Sequence, residues 1–281
     1  MLTTEQERSV LDAMAAVGLA SAKPLALSVD EKIKRFKLQD DKAGKASGWL
    51  VLYGNMDVIA GAFGSWRTGE SHSWCSKAKH EISAAERESL RLRYEQVKRD
   101  RDAEQQRVWA EAAAKADRLW NAGGPAKAGD HPYLQAKGIK PFGLKTLRQS
   151  LMVPARNADG AITTLQFISA DGSKRFLTGG KITGSYYSIG KPGTIILICE
   201  GFATGASLYE ATGYAVAVVF NAGNLKPVAL ALRAKFPDMT ILICGDNDVG
   251  TEGNPGLTKA MEAAAAIGAR YVVPDFTEEA A

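Results

Sequence analysis

The chain has 281 residues, 46% hydrophobic and 23% charged, which is enough material for one large or two smaller packed cores and excludes a fibrous or disordered class. Its formal net charge of +4 permits a polyanionic partner without requiring one. The first ten residues lack the basic patch and apolar run of a secretory leader, and no apolar stretch reaches membrane length, so a cytoplasmic protein without membrane contact is expected.

Residues 3–18 predict a short helix with Leu11, Met14 and Val17 on one face. Between about residues 30 and 75, short apolar segments separated by Gly, Asp and Asn predict a small antiparallel sheet. Trp49, Phe63, Trp66 and Trp74 are expected to fill its core, although an exposed base-stacking face would have the same composition. Ser83 and Glu86 make a capping box, and neither Gly nor Pro follows before Trp120, which predicts a long helix. Glu95–Arg99 and Glu111–Lys115 are expected i,i+4 pairs. Leu90, Tyr94 and Val97 mark one face; the polar run KRDRDAEQQR after them predicts a solvent-exposed connection between two modules.

HPYLQAKGI reads as a short helix stopped by Gly138. LMVPA, ITTLQFISA and KRFLT then alternate as strands, turning at Asp159-Gly160 and Asp171-Gly172, which predicts a second antiparallel meander. Over residues 194–275, the buried-type strands GTIILICEG, YAVAVVFNAG, MTILICGDND and ARYVVP alternate with helical segments. That texture calls for a mainly parallel sheet flanked by helices. The expected class is α/β, divided into an N-terminal α+β module (1–80), a connecting helix (81–122), an antiparallel subdomain (123–192) and the parallel-sheet domain (193–281).

Of the three cysteines, Cys75, Cys199 and Cys244, two lie in apolar runs, which predicts reduced, buried thiols. Cys75 with His72 and His80 offers three ligands of poor spacing, so no structural zinc is expected.

Two buried strands end in carboxylates: Glu200 after IILIC, and Asp246 and Asp248 after ILICG. Ligands of an open α/β sheet bind beyond the carboxyl ends of its strands. If these two strands are parallel neighbours, three carboxylates converge at one rim, and their repulsion raises at least one pKa unless a cation lies among them. Mg²⁺, held by one or two carboxylates with water and phosphate completing its shell, resolves that conflict. Gly201, Gly245 and Gly250 would let backbone and phosphate approach closely. An Asp-x-Asp after a strand is also ordinary turn chemistry; the Glu-Gly ending a second buried strand is what points to a site.

Residues 195 to about 273, with Glu200-Gly201 after the first strand and Asp246-Asn247-Asp248 after a later one, resemble a Toprim domain, the fold shared by bacterial-type primases, topoisomerases and related nucleases. CEGFATGASLYEATG, VVFNAGNL and ILICGDNDVG, with Gly256 and Lys259 beyond, are similar to the primase-type Toprim proteins of phages, plasmids and integrated elements (DnaG-like primases). LMVPARNADGAITTLQFISADGSKRFLTGG resembles the small subdomain before Toprim in those primases, and HPYLQAKGI resembles its lead-in. The resemblance covers about residues 120–275. It implies a DNA primase that makes short oligonucleotides on a single-stranded DNA template from nucleoside triphosphates. It also implies Mg²⁺ or Mn²⁺ held by Asp246 and Asp248, with Glu200 as an acid/base or metal-linked residue.

Arg156, Lys174, Arg175 and Lys181 around the second meander, and Lys259 beyond the acidic loop, are the candidates for meeting nucleic-acid or triphosphate phosphates. Charged hairpin edges protected from aggregation would look the same. No four-ligand set stands where bacterial replicative primases carry a zinc module, and the Trp- and Gly-rich sheet at 30–75 is its candidate replacement. No Walker-type loop is present, which implies a separate helicase or a template already single-stranded. The alternatives are a nuclease of the same fold, or a non-catalytic nucleic-acid-binding accessory of replication.

Overall fold

The computed structural model describes residues 2–41, 44, 46–54 and 58–274. Two compact units divide the chain, Met1–Gln105 and Gln106–Ala281. No helix among the described residues is long and apolar enough to cross a membrane.

The first unit opens with α1 (Thr4–Ala16), started by a capping box between Thr3 and Gln6. Its buried residues are Val10 and Met14, whereas Leu11 and Val17 are 38% and 39% exposed. The expected Leu11–Met14–Val17 face is therefore corrected by one position. Val10 and Met14 stack at i,i+4, and the apolar neighbour Leu11 falls outside that stripe. Four antiparallel strands follow, β1 (Lys34–Phe36), β2 (Gly48–Gly54), β3 (Ile59–Ser65) and β4 (Ser71–Cys75), in spatial order 1-2-3-4. Alternation along them builds two cores. Phe36, Leu38, Leu50, Leu52 and Phe63 close on α1. Trp49, Val51, Tyr53, Ala60 and Ala62 close on Val97 and Leu90 of α2 (Ala84–Ala122). Trp49 and Phe63 are buried, and Trp66 and Trp74 pack against the two cores. The tryptophans are core, not an exposed stacking face.

Ser83 and Glu86 exchange the two hydrogen bonds of the expected capping box. The expected i,i+4 partners change: Glu95 and Glu111 pair with Arg91 and Arg107, one turn N-terminal instead of C-terminal. Arg99 donates to the Glu95 backbone carbonyl. The polar middle of α2 is largely exposed, and the division between the units falls within it.

In the second unit, β5 (Gly124–Pro125) leads to α3 (Pro132–Lys137), which Gly138 stops in the left-handed conformation at φ 62°. Next come β6 (Lys145–Leu147), β7 (Ser150–Arg156), β8 (Ile162–Ile168) and β9 (Lys174–Phe176), antiparallel in order 5-6-7-8-9. Met152, Leu165 and Phe167 pack on Ala116 of α2; Leu151, Val153 and Ile168 face the other way.

The last segment is β10 (Tyr187–Ile189), β11 (Ile195–Cys199), α4 (Phe202–Thr212), β12 (Ala215–Val218), α5 (Leu225–Lys235), β13 (Thr240–Cys244), α6 (Pro255–Ile267) and β14 (Arg270–Val272). The sheet order is β10-β12-β11-β13-β14. β11 to β14 are parallel as expected, while β10 adds an antiparallel edge. α4 covers one face in a core continuous with Leu151, Val153 and Ile168 of the meander, and α5 and α6 cover the other. From β11 the chain crosses to β12 on one side, then returns over β11 to β13 on the other. The strand order therefore reverses between β11 and β13, where an open sheet of this kind places its ligand.

Candidate metal centre

β11 and β13 run in register, with Cys199 opposite Cys244, so Glu200 and the Gly245-Asp246 turn leave the sheet side by side. Burial, and then the charges of Asp246 and Asp248, push the Glu200 carboxyl up to about 7, against a smaller opposing pull from the Ala222 amide. Its Oε1 is buried without a hydrogen-bond partner. Burial and then Asp248 raise Asp246, while Lys174 lowers it. The three carboxylates thus share one electrostatic environment, as the strand-end pattern predicts.

The acidic loop is held by its own amides. Asp248 Oδ2 accepts from the Gly256 N–H at 3.1 Å. Asn254 Oδ1 accepts from the Asp248 N–H at 2.9 Å, and the Asn254 side-chain amide donates to Asn247 Oδ1 at 2.9 Å. Asn247 in turn donates to the Pro274 carbonyl. Asn254 also caps α6, at φ 39°. Asp246, Asn247 and Asp248 line an open recess of about 590 Å³ with Thr204, Leu208 and Val272.

A Cβ on Gly256 would lie 2.4 Å from the Asp246 carbonyl oxygen and 2.9 Å from Asp248 Oδ2, and one on Gly245 would meet Ala260 at 2.6 Å. Close approach is therefore required at Gly245 and Gly256. Gly201 would meet only Thr204 at 3.6 Å, and Gly250 nothing within 4 Å.

Of the five cationic candidates, Lys174 stands by the carboxylates. Burial and then Lys137 lower its pKa, against a raising pull from Asp246, and its Nζ lies 5.9 Å from the Tyr133 ring centroid. The others make contacts of their own. Arg175 lies over Phe167 and Lys181 over Trp109, Arg156 donates to the Gly160 carbonyl, and Lys259 pairs with Glu262 along α6. Asn254 and Gly256 complete the surroundings of the acids, and Lys137 lies beside Lys174. The Asn-Pro start of α6 was the signal for Asn254, and Lys137 in HPYLQAKGI had none.

Among the described residues, no three His, Cys, Asp or Glu side chains form a ready-made metal cage. Mg²⁺ does not need one, since it keeps waters and takes one or two carboxylates plus substrate phosphate. An unpartnered buried carboxylate oxygen beside two further carboxylates is a donor set that a hard divalent cation satisfies. The residues fit such an ion.

Residues 195–280 match the sequence family described as Toprim domain. Two proteins described as DNA primase TraC, both from Escherichia coli, are each 36% identical to this chain over 270 and 261 residues, 88% of the chain in both cases. The chain spans 24% and 18% of their lengths. Among solved structures, the DnaG primase catalytic domain bound to ssDNA aligns at a TM-score of 0.42 and 12% identity, over 62% of this chain and 76% of that one. A DNA primase domain from Pseudomonas aeruginosa aligns at 0.39 and 14%, over 59% and 71%. By the match over its carboxylate-bearing sheet, residues 195–280 belong to the Toprim domain family, and through most of its length the chain aligns with one stretch of TraC-type primases.

Proposed function

We propose that this chain carries the catalytic core of a DNA primase, joining nucleoside triphosphates into short oligonucleotides on a single-stranded DNA template. The observation that carries the reading is Glu200, whose Oε1 is buried without a hydrogen-bond partner, beside Asp246 and Asp248 at the switch point of the sheet. Asp246 and Asp248 would hold Mg²⁺ or Mn²⁺, with Glu200 beside them. Such an ion supplies Lewis acidity toward the triphosphate and the attacking 3′-hydroxyl. Glu200 would take a proton from that hydroxyl, directly or through one water. Lys174, which interacts with Asp246, would meet the phosphates there. Arg156, Arg175, Lys181 and Lys259 remain candidates for contacts along the template, with a separate helicase as the expected supplier of single strands.

The test is ribonucleotide incorporation on single-stranded DNA with Mg²⁺ or Mn²⁺, run beside Asp246→Ala and Asp248→Ala. Labelled oligomers from the unchanged protein and none from the variants support priming. A shortened template without new oligomers replaces the reading with a nuclease. Equal product from all three proteins removes the carboxylates from the mechanism.

A further inference from the structure

β9 presents Lys174 and Phe176, two residues apart, on the same face of one strand. Lys174 is the residue coupled to Asp246. Phe176 meets Phe220 edge to face, with ring centroids 5.5 Å apart and planes at 80°. Phe220 follows the carboxyl end of β12, and its N–H donates to the Glu200 backbone oxygen at 2.8 Å. One strand therefore sets a cation beside Asp246 and an aromatic against the residue bonded to Glu200. Both rings are only partly buried.

The backbone at Phe220 has φ 75°, a left-handed conformation that a bulky side chain disfavours and glycine adopts freely. The fold holds an aromatic ring in a conformation that opposes it, and strain of this kind gathers at ligand clamps. Edge-to-face pairing leaves ring surface open for a flat partner, and aromatic faces stack on any nucleobase.

We propose that Phe176 and Phe220 form the wall on which a nucleobase rests when its phosphates lie at the Glu200–Asp246–Asp248 rim, with Lys174 toward those phosphates. This rests on the functional reading above, and the base belongs either to the incoming nucleotide or to the template strand. The competing account is that the pair only pins β9 to the sheet.

Equilibrium binding separates these without requiring turnover. ATP with Ca²⁺ and, separately, a fluorescent oligothymidylate are titrated into the full chain, into Phe176→Leu and Phe220→Leu, and into the aromatic-retaining Phe176→Tyr and Phe220→Tyr. The leucine variants are expected to weaken one titration about tenfold, the loss typical of one base–aromatic stack, with unchanged melting temperature and Tb³⁺ luminescence at the carboxylates. The tyrosine variants should restore it. A loss confined to ATP assigns the base to the nucleotide, and one confined to the oligonucleotide assigns it to the template. The proposal is overturned if neither titration moves, if the unchanged chain binds neither probe, or if affinity, Tb³⁺ binding and melting fall together. Binding that depends on the rings in a protein that adds no nucleotide would sink the primase reading and leave this one standing.

Discussion

Cys199 lies opposite Cys244 across the parallel pair of β11 and β13, so the residues that follow them leave the sheet at the same level. This register sets Glu200 among the other two carboxylates, and the consequence is measurable without substrate. Glu200 is raised from 4.5 to about 7, so the folded metal-free protein binds its proton more tightly than the unfolded chain does. Its contribution to stability is full below about pH 4.5 and is lost as pH rises through 7. Allowing for solvent reaching this half-buried group, the loss is about 2 kcal/mol. Calorimetry in EDTA should show that decline for the unchanged chain and a flatter curve for Glu200→Gln. Mn²⁺ should oppose it above pH 7, because the ion binds the deprotonated group. Parallel curves for the two proteins would disprove the shared site.

The loop after β13 provides the second prediction. Asn254 combines a left-handed φ of 39° with three side-chain contacts, to Asp248, Asn247 and Leu257. Asn254→Gly keeps the backbone free and lowers helix capping by only a few tenths of a kcal/mol, whereas Asn254→Ala loses about 1 kcal/mol from the cap and about as much from the backbone. Asn254→Gly should therefore melt near the unchanged protein, yet bind Mn²⁺ about 10–100-fold more weakly, as expected when an outer support of a ligand is removed. Full Mn²⁺ affinity in Asn254→Gly would show that the amide does not orient Asp248.

The strand-end carboxylates were legible because β11 and β13 are continuous apolar runs, and a charge that ends such a run has one place to go. Lys137 and Asn254 were not legible in the same way. Lys137 comes beside Lys174 only through the packing of α3 and the meander into one core, which no local pattern encodes. Asn254 could be read as a helix cap, but its grip on Asp248 depends on how the loop doubles back. On α1, Val10 and Leu11 are adjacent apolar residues, and periodicity alone does not choose which one faces Met14; the sheet does. On α2, Glu95 has an arginine four residues away on either side, so spacing allowed Arg99 and the structure selects Arg91.

Gly256 and Gly250 form a matched pair of substitutions. Alanine at either position gains helix or chain-entropy benefit of about 0.5–1 kcal/mol at most. At Gly256 that gain meets a Cβ 2.4 Å from the Asp246 carbonyl oxygen and 2.9 Å from Asp248 Oδ2, and overpacking of this kind costs about 1–3 kcal/mol. Gly256→Ala should lower the melting temperature and the affinity for Mn²⁺ together, since the atoms displaced belong to the acidic loop. Gly250→Ala, with nothing within 4 Å, should leave both unchanged. Equal behaviour of the two variants in a Mn²⁺ titration would mean that the loop tolerates displacement.

In the first unit, buried Asp41 ties β1 to β2 through one carboxylate. Oδ2 accepts the Leu38 and Ser47 N–H groups at 3.0 and 2.8 Å, and Oδ1 accepts the Ser47 hydroxyl at 2.6 Å. The Ser47 hydroxyl first, then the backbone amides and Arg67, hold Asp41 down to about 2 against the opposing effect of burial. A depressed folded pKa means that the stabilisation is present above the usual 3.8 and is lost as pH falls through about 2. Asp41→Asn keeps the shape but places an NH₂ where one acceptor oxygen stood, so it should lose this tie at neutral pH and show less change on acidification. Hydrogen exchange at the Leu38 and Ser47 amides reads the tie directly. Faster exchange at both in Asp41→Asn at neutral pH is the expected result, and protection equal to that of the unchanged chain would show that other contacts hold the two strands together.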